Sequence, residues 1–147
     1  MNQYVKYFKY VIEHKKNVFI EAWKAGLYVH AFTHDFSKFY PSEFFAYANY
    51  FCKENGQNSV IGTRNFEHAW QHHQNRNRHH WDYWVDGKGN PVPMPIKYVR
   101  QMIVDWSAMG RKFGDTAEIY FAKAGNDMNL HNTTRYRIDN VLKGLNV

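Results

Sequence analysis

The chain has 147 residues, 44% of them hydrophobic and 18% aromatic, and a formal net charge of +6. That length suits one domain (1–147) with a proper core, and the single cysteine, Cys52, excludes an internal disulfide and fits a reducing compartment. No apolar run approaches the roughly 20 residues of a membrane span, and Met-Asn-Gln-Tyr-Val-Lys-Tyr at the N-terminus lacks signal-peptide form, so a cytoplasmic protein is expected. The positive charge favours anionic partners, although it is spread along the chain, as solubility alone would require.

Residues 3–25 read as one helix. Val11, His14, Val18, Ala22 and Ala25 recur at three- and four-residue steps, while Lys15, Lys16 and Lys24 lie off that stripe. Gly26 is the expected stop. His14 therefore faces inward, where a lone histidine is most often a hydrogen-bonded core residue.

Residues 27–39 read as a short second helix carrying Thr33-His34-Asp35-Phe36-Ser37-Lys38. Adjacent helical side chains diverge by about 100°, so His34 and Asp35 share an interior only if this helix lies deep between its neighbours. Imidazole and carboxylate together suit a divalent metal, and Lys38, at i+4 from His34, reaches the same opening. His30, one turn before His34, is expected to be a partly exposed structural histidine.

Pro41 and Glu43 open a third helix, about 42–54, with Phe44, Phe45, Tyr47, Ala48 and Phe51 as core. A polar loop at 56–62 leads to a fourth helix, 64–81, which holds five of the nine histidines. Phe66, Trp70, His73, Asn77 and His80 share one face by the 3.6-residue period. His73 and His80 thus continue an apolar, inward face, whereas His68, His72 and His79 fall on others.

Residues 82–95 are rich in turn formers and predict a connector or small hairpin with Tyr83-Trp84-Val85 as one arm. Pro95 opens a fifth helix, about 96–109, stopped by Gly110. Within it Asp105 stands among Tyr98, Met102 and Met109, and a buried carboxylate needs a partner. Asp115 with Glu118 resembles a capping box for a sixth helix, and Thr134–Leu142 forms the last. Arg135 and Arg137 are candidate surface anion contacts. The fold class is therefore all-α, a compact bundle of six to seven helices.

The inward candidates His14, His34, Asp35, His73, His80 and Asp105 run in the order H…HD…H…H…D. This order resembles the HD-domain superfamily of metal-dependent phosphohydrolases, and His34-Asp35-Phe36-Ser37-Lys38 is similar to the HD-x-G-K run of its cyclic-dinucleotide phosphodiesterase branch. The wider pattern includes His14-Lys15, Ala69-Trp70 through His73, Asn77, His79-His80-Trp81, Met94-Pro95 and Asp105-Trp106. Over nearly the whole chain it resembles an uncharacterised family found in bacteria and their phages.

The superfamily resemblance implies an HD-like helical domain with one or two divalent ions (Fe, Mn, Zn, Ni or Co). His14, His34, Asp35 and Asp105 match the ligands of the first, and Asp35 would bridge to a second held by His73 and His80. Either His79 or His80 supplies that last ligand, and helical phase favours His80. Lys38 matches the lysine that meets a substrate phosphate, with Asp35 and Lys38 as the catalytic pair. The substrate implied is a nucleotide or another small, phosphorylated anion.

Two metals acidify a water and clamp a phosphoryl group between them, and Lys38 with Arg76 or Arg78 would neutralise developing charge. Asn77, Arg76 and His79 are lesser candidates for substrate contact. The same ligand set also occurs in HD-type di-iron oxygenases that cleave C–C or C–P bonds. A third alternative is a non-catalytic, basic domain that binds nucleic acid or protein. Basic residues form no continuous stripe, however, and helix-turn-helix and zinc-finger spacings are absent.

Overall fold

The structure is a computed structural model that describes residues 1–144. Among the described residues, seven α-helices form an all-α bundle: α1 (Gln3–Lys24), α2 (Tyr28–Thr33), α3 (Pro41–Phe51), α4 (Val60–Arg76), α5 (Ile96–Phe113), α6 (Ala117–Ala124) and α7 (Asn132–Leu142). The long helices α1 and α5 pack against each other at the centre. α2 and α3 lie against α1, α4 against α3, and α6 and α7 against α5.

Most of these helices begin where the sequence supplies a cap, whereas α2 and α5 start after Leu27 and Pro95 without a capping side chain. The side chains of Asn2, Ser59, Thr116 and His131 accept from free backbone N–H groups of α1, α4, α6 and α7, and Pro41 sits in the first turn of α3. The capping box expected from Asp115 is displaced by one residue. Thr116 caps α6, while Asp115 accepts from the Thr116 N–H and pairs with Lys123.

α1 buries Tyr7, Val11, His14, Val18 and Ala22, a stripe at helical spacing. Its lower part meets Tyr47, Ala48 and Ala69 of α3 and α4, and its upper part meets Ala31, Val104 and Ala108 of α2 and α5. A further cluster of Met94, Val99, Met102, Ile103, Met128 and Ile138 joins α5 to the C-terminal helices. Phe45 and Phe51, expected in the core, are about half exposed, because α3 turns only its Glu43–Tyr47–Ala48 side inward.

Helix bounds differ from the sequence expectation in several places, while the insert at 82–95 is a connector as expected. The helix expected over 27–39 ends at Thr33, and a separate 3₁₀ turn follows at Phe36–Phe39. α4 ends at Arg76, not at 81, and a 3₁₀ turn covers Trp81–Trp84. The insert at 82–95 contributes a single antiparallel bridge, Val85 to Pro91, and no strand among the described residues. α5 runs through Gly110 to Gly114, whose φ of 75° makes the stop. At Gly110 a Cβ would stand 2.3 Å from the Asp115 carbonyl oxygen, so this glycine serves close packing. Arg135 and Arg137 do not face solvent anions: they donate to the carbonyls of Gly125, Met128 and Met94 and tie down the C-terminal connections. No helix among the described residues is long and apolar enough to cross a membrane.

Candidate metal centre

Three packed clusters leave a polar pocket between α1, α4 and α5. His14, His34, Asp35, Glu43, His73 and His79 are all buried there. His14 arrives from the inward stripe of α1, His73 from the last turns of α4, and Asp105 from mid-α5.

His34 and Asp35 reach the pocket by a different route from the one helical phase implies. Asp35 has φ 50° and ψ 31°, in the left-handed region. Non-glycine residues are uncommon there, and aspartate is among those that tolerate it. The reversal follows the end of α2 at Thr33 and turns both adjacent side chains to one side. Two bonds to main-chain carbonyls hold it: the Lys15 side-chain Nζ donates to the His34 carbonyl at 2.7 Å, and the Lys38 backbone N–H donates to the Asp35 carbonyl at 3.0 Å.

The donor atoms fall into two sets. In the first, His14 Nε2 lies 3.1 Å from His34 Nε2 and 3.1 Å from Asp105 Oδ1. His34 Nε2 lies 3.2 Å from Asp35 Oδ2 and 3.5 Å from Asp105 Oδ1. In the second, His73 Nε2 lies 3.0 Å from His80 Nε2 and 3.4 Å from Asp35 Oδ1. His79 Nε2 lies 3.3 Å from the same oxygen and His80 Nε2 4.0 Å from it.

Ligands bound at about 2.0–2.2 Å to a shared ion stand roughly 3.0–3.6 Å apart, close to these separations. Asp35 Oδ1, Asp105 Oδ1 and His79 Nε2 are buried without a hydrogen-bond partner, and such orphaned polar atoms are costly. Three overlapping groups meet the spacing of a metal site: His14–His34–Asp35, Asp35–His79–His80 and His30–His34–His79. The residues present therefore fit a divalent cation.

All six sequence-predicted ligands are brought together, and His79 joins them. The choice between His79 and His80 disappears because the chain leaves the helix after Arg76, with His80 extended at φ −80° and ψ 131°. Both imidazoles then turn inward.

Behind the ligands lies a shell that the sequence reading missed. Glu43 is fully buried. Its Oε2 lies 2.9 Å from His73 Nδ1 and accepts from Ser37 Oγ at 2.8 Å, and its Oε1 accepts from Arg76 Nη1 at 3.0 Å. Burial opposes the carboxylate, yet the bonds from His73, Ser37 and Arg76 prevail and hold its pKa below the usual range. A carboxylate on Nδ1 fixes the tautomer that offers Nε2 to a metal.

Arg76 and Asn77, expected at the substrate, belong to this shell instead. Arg76 is spent on Glu43 and lies over the Tyr40 ring, and Asn77 Nδ2 donates to Ser37 Oγ and to the His73 carbonyl, both at 2.8 Å. His30 is buried, not partly exposed, with Nε2 3.2 Å from His34 Nδ1. Burial pushes the pKa of His30 down to about 3 and that of His34 down to about 4. Both imidazoles are neutral at pH 7, the state a metal ligand needs.

A cavity of about 540 Å³ opens over the cluster, lined by His14, Lys38, His80 and Asp105 among aromatic walls that include Trp70 and Trp106. Lys38 Nζ lies 2.6 Å from Asp35 Oδ2. Burial works against its charge, but Asp35 outweighs burial and raises its pKa. Lys38 is thus a cation at the cavity wall.

Fold and site together define an all-helical protein built around a buried histidine–aspartate cluster whose donor set suits a metal ion. The chain belongs to a family of unknown function, DUF5662, whose model matches residues 3–144. No curated protein and no solved structure matches it.

Proposed function

We propose that this chain is a metal-dependent phosphohydrolase of the HD type, acting in the cytoplasm on a small phosphate ester. The observation that carries this reading is the division of the Asp35 carboxylate. Its Oδ2 stands with His14, His34 and Asp105, and its Oδ1 with His73, His79 and His80. One or two divalent ions held there would supply the acidity that activates water and the charge that neutralises a phosphoryl group.

The chain's own residues do the rest. Asp35 ties the two ligand sets together, and Glu43 and His30 orient His73 and His34 from behind. Lys38 is the only lysine or arginine among the described residues that line the cavity. In that place it pairs with substrate phosphate, which favours phosphoryl transfer over oxygenase chemistry on the same ligands.

The test loads the protein with Mn²⁺, Zn²⁺ or Fe²⁺ and measures phosphate release from a panel of monoesters. Lys38→Ala is expected to keep its metal and lose about 10²–10³-fold in kcat/KM, the scale of one lost electrostatic donor. Oxygen consumption by the iron-loaded protein, without phosphate release from any ester, would overturn the hydrolase reading in favour of an oxygenase.

A further inference from the structure

The space over the histidine cluster does not end at Lys38. A second cavity, of about 470 Å³, adjoins the first, and the two have Tyr10, Lys38, Trp70 and Phe113 in common. Lys38 therefore stands at their boundary. Beyond it, the second cavity is walled by Tyr7, Tyr47, Phe51, Cys52 and Phe66. Apart from that one ammonium, its side chains offer only tyrosine hydroxyls, an indole N–H and a thiol.

Two features mark this slot as built for a guest. Its floor is fixed: Tyr7 and Tyr47 are buried, and Phe66 stacks on Tyr50 with ring centres 4.1 Å apart. Its walls are almost wholly aromatic, yet at one end it meets the Lys38 ammonium. A sugar or another polyhydroxylated group would leave its own hydroxyls unpaired against Phe51 and Phe66, which is costly. An apolar chain would lose nothing and would cover those rings.

We infer that the slot receives the apolar part of the substrate, an amphiphilic phosphate monoester. Its phosphate meets Lys38, and its alkyl or aryl group lies against Phe51 and Phe66. This inference rests on the phosphohydrolase reading for the head group, while the slot itself does not depend on metal.

The test uses the Mn²⁺-loaded protein and two non-hydrolysable probes, methylphosphonate and octylphosphonate, with binding followed by calorimetry. Cys52, the only cysteine in the chain, reports occupancy of the slot through its rate of alkylation. Each buried methylene is worth about 0.8 kcal/mol, close to fourfold in affinity. Octylphosphonate should therefore bind at least about tenfold tighter than methylphosphonate and slow Cys52 alkylation severalfold, which methylphosphonate should not.

Cys52→Phe, checked for folding by its melting curve, should lower the octyl-to-methyl affinity ratio. Asp35→Ala should still show protection of Cys52 by octylphosphonate. Monoester hydrolysis with no chain-length preference and unprotected Cys52 would overturn the slot and leave the hydrolase standing. Protection of Cys52 without turnover of any ester would retain the slot and sink the hydrolase.

Discussion

Glu43→Gln tests the site through a residue that touches no proposed metal. Glu43 accepts from Ser37 and Arg76 and holds the Nδ1 proton of His73. Glutamine keeps the shape but has one acceptor oxygen, so its amide NH₂ must meet a donor whichever way it sits. Facing His73, it forces the ring proton onto Nε2, the nitrogen aimed at His80 and Asp35, and that nitrogen ceases to be a ligand. Loss of such a carboxylate weakens metal binding about 10–100-fold, roughly 1.4–2.8 kcal/mol.

The loss should be confined to one ion. His14, His34, Asp35 Oδ2 and Asp105 form the other set, and none of them bonds to Glu43. Chelator competition on the Zn²⁺-loaded protein should resolve two classes of site in the natural protein and weaken one of them in Glu43→Gln. Equal weakening of both classes, or of neither, would refute the assignment of Glu43 to His73 and the second set.

Acid should weaken the metal-free protein earlier than carboxylate protonation alone would. His30 and His34 titrate near 3 and 4 when folded, and burial also pushes His80 down, against about 6.5 when unfolded. Below pH 6.5 the unfolded chain binds protons that the folded chain refuses, so stability falls as pH drops toward 4. His73, whose pKa is raised chiefly by Asp35 despite burial, runs the other way but stands against three. The urea midpoint should fall between pH 7 and 4.5, and a flat or rising midpoint would contradict this. Gly110→Ala should cost about 1–3 kcal/mol or more in urea unfolding, since the new Cβ meets the Asp115 backbone and not a movable side chain. An unchanged midpoint would show that the α5–α6 connection gives way freely.

The helices and much of the buried histidine–aspartate cluster were legible because both depend on periodic burial. The 3.6-residue stripe of α1 placed His14 inward, and the isolated carboxylate of Asp105 among methionines required a partner. What periodicity does not carry is a break in the helix itself. Asp35 turns left-handed because Lys15 and Lys38 hold the carbonyls on either side, contacts that exist only after folding. α4 stops at Arg76 because Asn77 folds its amide back onto the His73 carbonyl, so helical phase from His73 cannot place His79 or His80. Glu43 was hidden by its position in the first turn of α3, where an acidic residue needs no further reason. The signal that would have found it is its four-residue step to Tyr47, which puts it on the buried side of that helix.

The most direct test is metal content by elemental analysis of untagged, chelator-free protein beside Asp35→Ala. With its two oxygens divided between the two ligand sets, the natural chain should hold about two equivalents of divalent metal, and the variant should lose both. Full metal retention by the variant, or a natural chain that neither carries metal nor takes it up on reconstitution, would contradict a centre bridged by Asp35.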